Sequence, residues 1–208
     1  MTKLTNFLVL FLVLNFSSYS QNFLSTSGSS IVNENGDTII FRGMGLGGWM
    51  VQEGYMMAPG GFSSTQYQIK DRLIELIGEE ETDVFYHNWL SNHVRKIDID
   101  SMKQWGFNLI RVPIHYNLFT EPIENEPFPN AYTEKEIGFT LLDSLLSWCK
   151  QNQIYLMIDL HAAPGGQGYN ADISDYDPTK PSLWESTLNQ NKTVELWRRL
   201  ANRYKNEE

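Results

Sequence analysis

Polar side chains fall where apolar runs break or end in this chain, and those are positions from which chemistry can be done. Ile154–Leu160 is a near-continuous apolar run, broken at Asp159 and followed by His161 and a Pro-Gly-Gly turn. Such a run is the pattern of a strand buried on both faces, as in a parallel sheet. Asp159 and His161 then sit where the strand surfaces into a loop, the end that carries chemistry in barrels of parallel strands. Arg111 breaks a second apolar run, Asn108–Ile114. A charge inside a buried strand requires a carboxylate partner or a ligand oxygen. His115 and Tyr116 emerge directly after it, and Glu53 and Tyr55 share one short loop further upstream. Plainer readings stand beside these: a histidine satisfying a local backbone group, an aspartate capping a turn, a structural ion pair, and a solvated surface glutamate. A metal-dependent hydrolase built on His115 and His161 would need a paired-histidine motif at a strand end, and the sequence has none. His87 and His93 read as structural.

The elements that must position these residues follow from periodicity. Ile31-Val32, the turn Asn33–Asp37 and Thr38–Arg42 read as a hairpin, with Asn35-Gly36 as the turn signal and Asn22–Ser30 as a loose lead-in. Phe41–Trp49 carries four glycines, which allow close approach of the backbone to a neighbour. Their spacing is wrong for dinucleotide binding, and no amphipathic helix begins directly after them. Helical spacing appears over Tyr67–Ile77, Glu79–Ser91, Val94–Trp105, Glu134–Gln151 and Thr193–Tyr204. In the fourth of these Ile137, Leu141, Leu142, Leu145, Trp148 and Cys149 form the apolar face, with Thr133 and Glu136 as a capping box. In the last, Val194, Leu196, Trp197 and Leu200 do so. The loop His161–Pro181 is long enough to be functional or mobile. Strand and helix alternate three times, which argues for an α/β fold with a parallel sheet, either a (β/α)8 TIM barrel or an open doubly wound sheet. No phosphate-binding loop supports the second.

The net charge of −9 excludes nucleic acid as a natural partner. Six Trp, ten Tyr and eleven Phe suit a large core or a sugar-stacking surface. Met1–Ser20 reads as a cleavable secretory signal peptide, with Lys3, the apolar run Phe7–Phe16 and small residues at Ser18 and Ser20. That run is too short to span a bilayer, which takes roughly 20 apolar residues. The expected location is therefore secreted or periplasmic. Cys149 is the only cysteine, so no internal disulfide forms, and its place on an apolar helix face marks it as a buried, inert thiol. Residues 21–208 are fewer than the roughly 250 of a complete barrel, and they stop on a helix where a fourth strand is due. The expectation is the N-terminal part of a longer barrel protein.

Four segments carry a family resemblance. They are Arg42–Trp49 followed by Glu53 and Tyr55; His87–Trp105; Asn108–Pro113; and Asp159–Gln167. On these the chain resembles the N-terminal part of glycoside hydrolase family 5 enzymes, closest to the exo-β-1,3-glucanase-like members. The resemblance implies a (β/α)8 barrel, a β-glucan substrate, no cofactor, no metal, and retaining hydrolysis by two carboxylates about 5 Å apart. In the family these are glutamates ending the fourth and seventh strands, the acid/base within an Asn-Glu-Pro triplet. Asn125-Glu126-Pro127 has that triplet, but in a polar, proline-rich loop after the second strand, so no catalytic carboxylate is assigned. What the resemblance does carry over is a substrate-binding shell. Arg111 matches the arginine that orients the nucleophile, His161 the histidine that bonds a sugar hydroxyl, and Glu53 and Tyr55 a loop that binds terminal glucose. Two departures stand out: Asp172 is displaced by one position from the family aspartate, and Gly54 replaces a loop proline. A non-catalytic sugar-binding relative of the same fold is the second reading. The oligomeric state is left open.

Overall fold

The computed structural model describes residues 23–58, 61 and 63–208, and the signal peptide expected at Met1–Ser20 lies outside them. The chain divides after Thr38 into two compact units. In the first, β1 (Ser25–Ser27) pairs antiparallel with β2 (Ser30–Val32). The turn Asn33–Asp37 forms as expected: Asn33 Oδ1 accepts the N–H groups of Asn35 and Asp37, and Gly36 takes φ +82°. The hairpin around it differs from expectation. Past the turn a single bridge, Val32 to Thr38, is present among the described residues, and the ladder of β2 runs to the supposed lead-in instead. Gly28-Ser29 is a two-residue hairpin turn with Gly28 at φ +60°, a tighter connection than the five-residue one.

The second unit opens with β3 (Gly43–Gly45) and the short α1 (Gly54–Met57). Three helices follow, α2 (Gln66–Ile77), α3 (Glu79–Asn92) and α4 (Lys96–Gln104). Thr65 starts α2 by accepting the Gln68 N–H, and Gly78 and Gly106, at φ +84° and +88°, follow the ends of α2 and α4. Then come β4 (Leu109–His115), α5 (Glu136–Asn152) and β5 (Tyr155–Ala162). After them lie α6 (Ala171–Ser174) and α7 (Thr187–Tyr204). β3, β4 and β5 form one parallel sheet in that order, with Gly45 beside Arg111 and Arg111 beside Met157. This is the α/β arrangement expected of the opening strands of a (β/α)8 barrel.

Alternation gives the sheet two unlike faces. Ile110, Val112 and Ile114 are fully buried in one cluster with Leu142, Leu145 and Cys149 of α5 and Leu196 and Leu200 of α7. Burial pushes the Cys149 thiol up to about 12, which keeps it protonated and inert. The opposite face carries Arg111, Asp159 and His161. It is open enough that Met157 is 48% exposed, so β5 is not buried on both faces as its apolar run suggests. β3 and β5 are the two edge strands of this sheet among the described residues.

Three helix expectations also change. In α5, Ile137 turns outward and Phe139 takes the buried position. In α7, Val194 and Trp197 are exposed, because the inward row is Asn189, Lys192, Leu196 and Leu200, two of them polar and invisible to an apolar count. α2 places its apolar residues against neighbours only in part and buries none fully.

Thr133 does not cap α5. Its N–H and hydroxyl both donate to Glu126, at 2.9 and 2.7 Å. Glu126 is also ion-paired with Lys192, and both side chains are 3% exposed. Desolvation pushes the Glu126 carboxyl up, but Lys192 and the two Thr133 donors outweigh it and hold it below the usual glutamate range. The Asn-Glu-Pro triplet is thus a structural clamp between α7 and the loop before α5. Lys192→Met is expected to cost about 3–5 kcal/mol in denaturant unfolding, because it strands a buried carboxylate. Glu126→Gln is expected to be less stable than wild type at neutral pH. A depressed carboxyl contributes fully above its unfolded pKa and loses that contribution on acidification. The gap between wild type and Glu126→Gln should therefore close as the pH falls below about 4.

Candidate functional site

Arg111 lies across all three strands of the parallel sheet. Its Nη2 donates to Asp159 Oδ2 at 2.5 Å, and its Nη1 lies 3.9 Å from where a Cβ on Gly45 would stand. The guanidinium thus reaches over β3 beside Gly45, where even a Cβ would make no more than an ordinary contact. On its other flank, Asp159 is the carboxylate partner that an arginine inside a strand requires. The register sets this meeting, because Pro113 lies beside Asp159 and the odd-numbered residues of β4 and β5 pair up to that point; beyond it the register shifts, with His115 beside Ala162 and His161 as the extra residue.

His161 is two residues further along the same face. Its Nδ1 is 2.9 Å from Asp159 Oδ2 and 3.2 Å from Arg111 Nη2. Its Nε2 is turned toward Glu53 Oε2 at 3.6 Å. Gln167 fixes the main chain at this point: its side-chain amide donates to the His161 carbonyl and accepts the Ala163 N–H at 3.0 Å. Gly165 and Gly166, both at positive φ, complete the turn, and a Cβ on Gly165 would fall 2.3 Å from Asn189 Nδ2.

Glu53 is brought in by the chain beyond β3, which stays beside β4. The Leu46 N–H donates to the Arg111 carbonyl at 2.9 Å and the His115 N–H to the Met50 carbonyl at 3.1 Å. Two indoles clip this segment to α3: Trp49 donates to the Leu90 carbonyl and Trp89 to the Gly48 carbonyl, each at 2.9 Å. Glu53 then occupies the N-cap position of α1 with its side chain buried. The next residue must be glycine. The Gly54 N–H donates to the Ser64 carbonyl at 3.0 Å, and a Cβ there would lie 2.2 Å from that oxygen. A proline at this position would lose the donor as well.

Tyr55 is largely exposed at the rim, close to Glu53. Its phenol is raised first by partial desolvation, then by the nearby Glu53 carboxylate, with Asp172 adding to the effect and Arg111 opposing it. Asp172, half-buried on α6, therefore sits within electrostatic reach of this wall despite its displaced position in the sequence. Arg111, His161, Glu53 and Tyr55 come together as one set: Asp159 joins Arg111 to His161, and the far edge of His161 faces Glu53, beside Tyr55.

One buried pair was not anticipated. His115 Nε2 is 2.8 Å from Asp175 Oδ2, and Asp175 Oδ1 accepts the Tyr67 N–H at 3.0 Å. His115 Nδ1 accepts the Asn117 N–H at 3.1 Å, so Nε2 carries the proton and donates to Asp175. With both ring nitrogens engaged, His115 is a pin that fastens the β5–α7 loop to β4 and to the start of α2. Strand parity marks His115 as inward-facing, but nothing local marks Asp175, sixty residues away. A cavity of 380 Å³ lies beside the pair, lined also by Tyr67, Tyr116 and Lys180. Among the described residues no group of three or more His, Cys, Asp or Glu side chains is placed to hold a metal ion.

Comparison with known proteins places this geometry in context. Residues 70–208 match the family described as cellulase (glycosyl hydrolase family 5). The chain is 34% identical over 184 residues to a β-xylosidase of Phanerodontia chrysosporium, covering 88% of this chain and 36% of that protein. It is 32% identical over 167 residues to a probable glucan 1,3-β-glucosidase A of Aspergillus niger, covering 79% and 38%. The chain thus spans well under half the length of these curated relatives. Among solved structures, the rutinosidase from Aspergillus niger superposes with a TM-score of 0.61 at 17% identity, over 80% of this chain and 45% of that one. A second, titled AoRut, gives 0.63 at 15% identity, over 80% and 44%. At such identities these two structures speak for the fold.

Gly54→Ala is expected to lower unfolding stability by about 1–3 kcal/mol, the cost of overpacking against backbone that cannot yield. Chemical denaturation measures it. Gly45→Ala, whose Cβ meets only an ordinary contact with Arg111, is expected to cost less.

Proposed function

The chain belongs to glycosyl hydrolase family 5, the cellulase family, and on that premise we propose that it supplies the sugar-binding wall of a retaining β-glucan hydrolase. One observation carries this reading: Arg111, Asp159, His161 and Glu53 converge on the inward face of the sheet, toward the C-terminal ends of its strands. In a (β/α)8 barrel that is the end where substrate is bound.

The residues divide the work by their chemistry. Glu53 and the cleft-facing nitrogen of His161 offer acceptors to sugar hydroxyls. Tyr55 closes the rim. Arg111 uses Nη2 on Asp159 and keeps further N–H donors for a second carboxylate, the nucleophile, whose ionised form a nearby positive charge favours. Glu126 cannot serve as acid/base while Lys192 and Thr133 hold it. The acid/base and the nucleophile are accordingly assigned to strands beyond residues 1–208. Export by way of Met1–Ser20 belongs to the same proposal and suits a polymeric substrate.

The test is the anomeric configuration of the first product, followed by proton NMR on laminarin or cello-oligosaccharides, with the reading frame continued past Glu208. Retention, with the β-anomer appearing first, is the expected outcome, and an α-anomer appearing first contradicts it. Arg111→Ala is expected to lower kcat/KM by about 100-fold or more, the scale of removing one preorganised donor. Residues 21–208 alone are expected to give no turnover. Oligosaccharide binding by a longer protein without any hydrolysis would favour the sugar-binding relative.

A further inference from the structure

We propose that Asp159 is a positioning residue: through a single oxygen, Oδ2, it sets the proton on His161 and the reach of Arg111. The inference rests on the proposed function for its catalytic consequence, while the proton placement stands on geometry alone.

Two nitrogens approach Oδ2, Arg111 Nη2 at 2.5 Å and His161 Nδ1 at 2.9 Å, and they lie 3.2 Å from each other. Arginine has donors only. If Nδ1 bore a lone pair, that lone pair would face a carboxylate oxygen across 2.9 Å. With a proton on Nδ1, both groups donate into one charged acceptor, the stronger kind of hydrogen bond. The 3.2 Å separation is then that of two donors converging on one oxygen. His161 in its neutral form is therefore the Nδ1–H tautomer, and Nε2 faces the cleft as an acceptor.

That placement shapes what the cleft accepts. Nε2 and Glu53 Oε2 stand 3.6 Å apart, too far to bond each other. They form two acceptors side by side, matched by two adjacent hydroxyl donors such as a vicinal diol of a pyranose. A flipped tautomer would present a donor beside Glu53 and break the match. The same logic appears where a carboxylate holds an imidazole in its working tautomer in hydrolytic triads. His115, with Nδ1 accepting and Nε2 donating, has the opposite tautomer and serves as an internal reference.

The experiment is histidine ring nitrogen NMR on the chain, recorded above about pH 8, where an ordinary imidazole is neutral. The sequence has four histidines, so the spectrum is assignable. His161 is expected as Nδ1–H and His115 as Nε2–H. Asp159→Asn is expected to move His161 toward Nε2–H while His115 stays put. A wild-type His161 seen as Nε2–H overturns the inference, and so does a His161 signal that Asp159→Asn leaves unmoved. Because the wild-type spectrum is decisive, the test survives a variant that fails to fold. In the polypeptide that hydrolyses β-glucan, Asp159→Asn is expected to lower kcat/KM about 100-fold or more, with partial recovery in Asp159→Glu. Absent hydrolysis alongside an Nδ1–H His161 would count against the functional reading and for the proton placement.

Discussion

The ion pair between Arg111 and Asp159 fixes a guanidinium on the inward face of the parallel sheet, and much of the site follows from how it is held. Arg111 comes from the middle of β4 and its side chain is 43% exposed on the open face, with the Asp159 side chain at 29%. A pair this open to solvent contributes little to stability, and its consequence is geometric: it fixes where the guanidinium points. The guanidinium reaches past Gly45 on one side, and Asp159 supplies the counter-charge on the other. Asp159 then has a second donor to accept, His161, whose far edge meets Glu53. This one ion pair thus sets the order of four side chains across the sheet.

The two faces of the sheet do different work. Behind it, Ile110, Val112 and Ile114 join α5 and α7 in a dry cluster that fixes strand positions. In front, the loops are held by directional polar contacts. The Trp49 and Trp89 indoles clip the segment that delivers Glu53, Gln167 brackets the turn after His161, and Asp175 ties the long loop to His115 and Tyr67. Hydrogen bonds of this kind contribute modestly to stability but define geometry sharply, because a buried donor left without its acceptor is costly. These bonds hold the Glu53, His161 and Asp175 segments against the strand ends.

Legibility in the sequence followed the range of the interaction. Arg111 and His161 could be found because each interrupts or ends an apolar run, but the register shift at His161 had no local signal. The need of Arg111 for a carboxylate was also readable, though not that Asp159 would be that partner. The family pattern, more than local chemistry, singled out Glu53 and Tyr55. Contacts between distant segments were illegible. Asp175 meets His115 across sixty residues, and Lys192 meets Glu126 across sixty-six. Lys192 also explains why the apolar face of α7 was misjudged, since an apolar count passes over a buried lysine. The capping box at Thr133 failed for a related reason: its hydroxyl had a stronger acceptor in Glu126.

The central claim is that the Arg111–Asp159–His161–Glu53 wall is where the sugar sits. A crystal structure of the protein with a β-glucan oligosaccharide tests it most directly. The account predicts a pyranose ring with adjacent hydroxyls within hydrogen-bond distance of His161 Nε2 and the Glu53 carboxylate. A sugar seated elsewhere with this wall untouched, for example in the 570 Å³ cavity lined by Phe128, Tyr132 and Arg199, would contradict it.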